Sequence, residues 1–309
     1  MSAAPIPHDQ LPDGYTQRPL RVGDAAAVTA VMAAQELHDV GEVVIEEADI
    51  VADWQRPSYD VTATSVGVFA GEELVGYAEI TGGDRGDAAV HPEHRGRGLG
   101  TALAQWMQEL ARAQGTPVVG MPVPQGSAGD RLLEALGYHV RWTSWVLELP
   151  EGAEVPRREL PPGYTLREAT PSDHEAVWGL NEDAFLEWSD RERQTFADWQ
   201  AGVPQRPGFE PWNLRLAIDP AGGVAALALV HLATEGPAPE GYVDRLATRR
   251  DQRGKGLAQA LLADSFAAAR AHGAVRSTLS TDTRTGALGL YEKVGMVVSS
   301  TWVNRAIAL

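Results

Sequence analysis

Two short stretches carry residue types at a spacing that can hold an anion. One is Arg95-Gly96-Arg97-Gly98-Leu99-Gly100, inside "HPEHRGRGLGTALAQWMQELARAQG" at residues 91–115. The other is Arg253-Gly254-Lys255-Gly256-Leu257-Ala258, inside "RRDQRGKGLAQALLADSFAAARAHG" at residues 249–273. Each reads as a short strand that runs through a glycine-rich turn straight into a helix. A helix start leaves its first amides without acceptors, at the positive end of the helix dipole. Glycines there remove side chains, so an anion can touch those amides, and Arg95, Arg97, Arg253 and Lys255 add charge beside them. The natural target is a phosphate, above all a pyrophosphate. The bland alternative is a tight turn with solvating arginines, and the repetition of the pattern weighs against it. The spacing fits neither a P-loop nor the G-x-G-x-x-G dinucleotide fingerprint.

The stretches belong to a larger internal repeat. "LPDGYTQRPLRVGDAAAV" at residues 11–28 matches "LPPGYTLREATPSDHEAV" at residues 160–177, and "EALGYHV" matches "EKVGMVV" near the end of each copy. Leu11 pairs with Leu160 and Gly98 with Gly256, so the second copy holds a modest insertion, in "GVPQRPGFEPWN" or "TEGPAPEG". The repeat is too long for a solenoid and reads as a tandem duplication of a domain. The Pro- and charge-rich residues 150–163 form the linker, giving domains at 1–152 and 160–309. Each copy predicts an extended segment, an Asp (Asp24, Asp173) before an Ala-rich helix, and a lid-like helical region ending near Trp54 or Trp199. Alternating strands then lead to the glycine loop and its long helix; a strand, a second helix and a last strand that closes the same unit follow. The fold class is α/β, a mixed sheet with helices on both faces, twice over.

Composition narrows the function. A chain of 309 residues with 44% hydrophobic and 22% charged residues is an ordinary globular protein of two-domain size. It has no cysteine, which excludes disulfides, thiolate metal sites and a cysteine nucleophile. The start, "MSAAPIPHDQLPDG", lacks a basic and apolar leader, and the longest apolar run falls short of a membrane span, so a cytoplasmic location is expected. A net charge of −16 argues against nucleic-acid binding and would steer a cationic acceptor, although solubility alone explains it as well. His91 and His94 lack a third ligand, so no metal is expected.

The loops resemble the acetyl-coenzyme A loop of the GNAT acetyltransferase superfamily, Arg/Gln-x-x-Gly-x-Gly/Ala. "LYEKVGM" at residues 290–296 is similar to that family's late helix, and both copies follow its order of elements. The tandem arrangement resembles that of the actinobacterial mycothiol synthases. The resemblance implies acetyl-coenzyme A as co-substrate, no metal, and direct attack of an amine on the thioester. It also implies that the backbone of Ala88, Ala89 and Val90, and of Leu246, Ala247 and Thr248, pairs with the pantetheine arm.

By the same resemblance, Tyr291 protonates the departing thiolate, and Leu133 stands at that place in the first copy. The family's usual strand glutamate is replaced by Tyr242, which leaves Asp244 or Glu240 as proton acceptors, with Asp84 at the equivalent place in the first copy. Asp244 is expected on the same face as Tyr242 in a regular strand. Phe185 and Trp188 could stack on a cationic acceptor beside Tyr242, with Glu182, Asp183 and Glu187 attracting it, or could simply be core. The expected function is N-acetylation of a small-molecule amine by a monomer or homodimer, catalysed in the second copy while the first binds donor without turnover. Mycothiol synthase, a non-catalytic acetyl-coenzyme A sensor and protein lysine acetylation are the alternatives.

Overall fold

A computed structural model describes residues 5–7, 9–234, 236 and 238–309. Parts of the N-terminal segment and of the inserted "TEGPAPEG" lie outside the described residues. The chain forms two compact units, Met1–Thr143 with Thr301–Leu309, and Ser144–Ser300. In chain order the elements are β1 (Thr16–Arg18), α1 (Ala25–Asp39), α2 (Glu47–Trp54), α3 (Val61–Thr64), β2 (Ser65–Ala70), β3 (Glu73–Gly82), β4 (Arg85–Val90), α4 (Leu99–Ala113), β5 (Val118–Pro124), α5 (Ala128–Ala135) and β6 (His139–Glu148). The second half continues with β7 (Thr165–Glu168), α6 (His174–Phe185), α7 (Phe196–Gly202), β8 (Leu214–Ile218), β9 (Val224–Ala233), β10 (Glu240–Thr248), α8 (Leu257–Ala271), β11 (Arg276–Asp282), α9 (Leu288–Lys293) and β12 (Val297–Ala308).

In the first unit the strand order is β1-β2-β3-β4-β5-β12, antiparallel except where β4 meets β5. The second unit runs β7-β8-β9-β10-β11-β6, with β10 and β11 parallel. The central strands are buried along nearly their whole length, where simple alternation was expected, because helices cover both faces. On α4 the buried Leu99, Ala102, Leu103, Trp106, Met107 and Ala111 recur at helical spacing, and Gly115 ends the helix at φ +74°. The repeated Arg and Asp of each copy find each other. Arg18 grips Asp24 through two bonds (2.7 and 2.8 Å) and Arg167 grips Asp173 the same way, fixing the entry to α1 and α6.

The units depart from the 1–152 and 160–309 division at one point. The last strand of each sequence copy completes the sheet of the other. Residues 144–148 of β6 pair with β11, and Leu147 and Leu149 enter the core around Val243, Phe266 and Leu279. Residues 302–308 of β12 pair with β5, and Val303 enters the core around Met121 and Val123. Each graft is locked by charge: Arg276 takes both oxygens of Glu148 (3.0 Å each), and Arg305 Nε donates to Asp130 Oδ1 (2.6 Å). Gly120 has no side chain because a Cβ there would lie 2.6 Å from the Arg305 carbonyl oxygen. Duplication explains why this needed no new sequence, since the edges of β5 and β11 descend from the same strand. Among the described residues no helix is long and apolar enough to cross a membrane.

A chain ending at residue 300 should therefore leave the outer edge of β5 unpaired. Hydrogen exchange should accelerate in residues 118–124 while β11 keeps its protection; unchanged protection in β5 would contradict the exchange of strands.

Candidate functional site

The two loops have one geometry. Gly96 and Gly98 lie at φ +73° and +91°, Gly254 and Gly256 at +76° and +83°, and the second glycine of each pair is the N-cap of α4 or α8. Only glycine adopts this left-handed backbone without strain. Among the described residues no carbonyl accepts from the amides of residues 96–101 or 254–259, which are left facing outward at the helix starts. Gly100 serves packing: a Cβ there would lie 2.7 Å from Leu132 of α5, and Ala258 takes the equivalent place. In the second unit a Cβ on Gly256 would lie 2.2 Å from Nε of Arg158, so a linker guanidinium rests on that loop.

The cations of the loops divide into two kinds. Arg95 forms a fork with Asp39 at the end of α1 (2.7 and 2.9 Å), and its Nε donates to the Val90 carbonyl (3.4 Å). Arg253 forms the same fork with Glu187 just past α6 (2.7 Å twice), and its Nε donates to the Thr248 carbonyl (3.1 Å). These arginines fasten strand end, loop and first helix together, so their charge is already matched. Arg97 and Lys255 are held differently. Arg97 donates to the hydroxyl of Tyr15 and Lys255 to that of Tyr164, both at 2.9 Å. The repeated "GYT" of the sequence thus braces the cation that stays beside the free amides.

The strand before each loop offers a free edge. Ala88, Ala89 and Val90 pair with β3, while β4 meets β5 at the single position Arg85 with Gly120. Leu246, Ala247 and Thr248 pair with β9, while β10 meets β11 only over residues 240–243. The Thr248 hydroxyl is buried without a partner at this edge, as befits a place where a ligand supplies one. An extended chain carrying a diphosphate fits such an edge and loop.

Tyr291 sits in α9, 8% exposed, and its hydroxyl makes no hydrogen bond among the described residues. Burial pushes its pKa up to about 12, so the hydroxyl keeps its proton at neutral pH. In α5 the matching Leu133 is core.

The strand carboxylates suggested as proton acceptors are engaged elsewhere. A bulge at Asp244 breaks the regularity expected of β10 and moves this residue out of the alternation. Although burial works to raise its pKa, Arg245 at 3.1 Å and His231 at 3.9 Å outweigh that and hold the carboxylate below its usual range. Such a group is a poor acceptor for an ammonium proton. Glu240 is buried against Arg276 (3.3 Å) and the Thr278 hydroxyl. Asp84 pairs with Arg141. The side chains expected to line an acceptor likewise have partners of their own. Phe185 and Trp188 pack at 5.3 Å, but Arg245 already lies over the Phe185 ring at 5.1 Å. Glu182 is fully buried against Arg191, Asp183 pairs with Arg193, and Glu187 holds Arg253. Tyr242 shares a hydrogen bond with Ser280 (2.8 Å), and burial raises its pKa to about 12.

Sequence reasoning missed a polar cluster in the first unit. Glu79 on β3 is 3% exposed, and its Oε2 accepts from Trp54 Nε1 (2.8 Å) and the Tyr59 hydroxyl (2.6 Å). Across the ladder stands Asp87 of β4, whose pKa burial also raises, while the Tyr77 hydroxyl donates to Met32 Sδ (3.0 Å). At the same places the second unit pairs Leu229 with Arg245. The signal was present in "LVGYAEI", where a glutamate interrupts an inward-facing run.

Comparison with known proteins agrees with this geometry. The model of the acetyltransferase (GNAT) family matches twice, at residues 33–138 and 174–296. Proteins named mycothiol acetyltransferase are similar across most of the chain. That of Salinispora arenicola is 32% identical over 82% of each chain, and that of Thermobispora bispora is 31% identical over 88% of this chain and 92% of its own. Among solved structures, a GCN5-related N-acetyltransferase from Sphaerobacter thermophilus superposes with a TM-score of 0.74 at 28% identity, covering 96% of each chain. A tandem GNAT protein from the clavulanic acid biosynthesis pathway shares the fold, with a TM-score of 0.71 at 18% identity, covering 95% of this chain and 98% of its own. The chain therefore belongs to the GNAT acetyltransferase family, as a tandem member in which each copy carries an amide-lined helix start beside a free strand edge.

Proposed function

We propose that the protein moves an acetyl group from acetyl-coenzyme A to the primary amine of a small molecule. The observation that carries this reading is the pair of unaccepted amide runs beside free edges of β4 and β10, with a buried, unpartnered Thr248 hydroxyl at the second. The amides of residues 96–101 and 254–259, with Arg97, Lys255 and Arg158 beside them, hold the pyrophosphate. The strand edges hold the pantetheine arm and set the thioester near the strand opening.

Transfer then needs a neutral amine, whose nitrogen attacks the thioester carbonyl carbon. A carbon–nitrogen bond forms, the carbon–sulfur bond breaks, and a thiolate leaves into a site with little water. In the second unit Tyr291 donates its proton to that thiolate, and the proton shed by the attacking nitrogen as the amide forms restores the phenol. A phenol that burial keeps protonated, with no internal acceptor, is suited to that task. A second reading, acetylation of the acceptor of the mycothiol acetyltransferases, is favoured by about one-third identity over most of the chain. Tyr242 stands where the resemblance to those enzymes asks for a glutamate, which makes a different amine the preferred acceptor.

Calorimetry with acetyl-coenzyme A should show two sites, and Gly98→Asp or Gly256→Asp should each abolish one by placing a negative charge in the loop. In a Gly98→Asp chain, which reports on the second unit alone, Tyr291→Phe should lower thiol release about 100-fold with donor affinity unchanged. Donor binding without thiol release from any primary amine would point instead to a sensor. Absence of heat with acetyl-coenzyme A would overturn the donor assignment.

A further inference from the structure

We propose that Glu79 accepts the proton of an ammonium substrate in the first unit, which therefore carries an acyl-transfer centre of its own. This rests on the acetyl-coenzyme A reading above. Its grounds are position, geometry and contrast with the second unit. Glu79 lies opposite Asp87, on the stretch of β4 past Arg85 that does not pair with β5. The carboxylate is therefore placed where a thioester gripped by the first loop would meet an acceptor.

The geometry is that of a held base. Both donors, Trp54 Nε1 and the Tyr59 hydroxyl, bind the same oxygen, Oε2. Oε1 makes no hydrogen bond among the described residues, although the side chain is 97% buried. Oε1 is thus left free to accept from a substrate N–H while Oε2 is held in place by two donors. The fold itself does not ask for an acid here, because the second unit completes the same ladder with Leu229 and Arg245. That unit turns a guanidinium toward its first helix, whereas the first turns Glu79, Asp87, Tyr77 and Tyr59. A primary ammonium is matched by the first set, whereas in the second Arg245 already occupies the Asp244 carboxylate and the Phe185 ring.

The charged and titratable groups facing Glu79 are Asp87 on β4, Tyr77 on its own strand, Asp53 on α2, and Tyr59, which Arg56 caps at 5.4 Å. Burial raises the Glu79 carboxyl most, Asp87 and Asp53 add to it, and Tyr59 and Trp54 pull the other way, leaving it at about 7. The base form thus fills as pH rises through neutrality. One ammonium proton passes to Glu79 and the freed amine attacks the thioester carbon. The carbon–nitrogen bond forms as the carbon–sulfur bond breaks. The second nitrogen proton goes to the departing thiolate, which has only Leu133 where the second unit has Tyr291.

The test uses the full-length Gly256→Asp chain, in which only the first loop can bind donor. Thiol release from acetyl-coenzyme A is followed with glucosamine, 1,4-diaminobutane and tyramine as amine probes. The expected result is release that rises through about pH 7 and falls about 100-fold or more in Glu79→Gln, with loss of the pH step and unchanged donor affinity. Glutamine keeps an oxygen for Trp54 and Tyr59, so the unit should stay folded. In the parent, stability should decline as pH rises from the ordinary glutamate range through about 7, because the buried carboxyl must ionise; Glu79→Gln should remove that decline. A Gly256→Asp chain that binds one acetyl-coenzyme A but releases no thiol overturns the inference, as does Glu79→Gln with the parent rate and pH profile. A full-length chain giving no heat with acetyl-coenzyme A overturns the donor reading itself.

Discussion

Everything at either site depends on a bidentate arginine–carboxylate clamp. Arg95 to Asp39 and Arg253 to Glu187 each join a strand end, a glycine loop and the end of the first helix. The same guanidinium also takes the last strand carbonyl, so the strand edge and the amide run are held in one orientation. Forked, charge-assisted bonds fix direction as well as distance. Without them the left-handed glycines would leave the loop free to swing, and the free amides would not converge on one anion.

On this shared frame the two units have diverged at the floor of the cleft. The second unit keeps a protonated tyrosine in α9 but fills its acceptor side with Arg245, Arg191 and Arg193, each matched to a carboxylate or an aromatic ring. The first lost the tyrosine and gathered Glu79, Asp87, Tyr77, Tyr59 and Trp54. A buried phenol in one unit and a pair of carboxylates in the other thus stand where the two copies differ most. A net charge of −16 gathers cations toward the molecule as a whole.

Much of this was legible in the residues because glycine and arginine at fixed spacing leave few alternatives. The loops, the repeat and the layered fold follow from local pattern. What escaped depends on distance or degeneracy. Asp39 and Glu187 stand 56 and 66 residues from the arginines they clamp, and no periodicity links them. The bulge that displaces Asp244 arises from a register shift against β9, which a strand read alone does not contain. Glu79 resembles any polar residue of a half-exposed strand until helices are known to cover both faces. The exchanged strands were hidden by the duplication itself, since either copy offers an equivalent edge.

That exchange has a consequence for how the molecule is made. As the polypeptide leaves the ribosome, β5 emerges long before the nine residues that will cover its edge, Thr301–Leu309, have been synthesised. The first sheet must wait, one flank exposed, until residues 301–309 have emerged, while the Ser144–Ser300 body can close as soon as its own strands have emerged. Order of birth and order of folding are therefore reversed, and the waiting edge is where a chaperone or a stray neighbouring strand would bind.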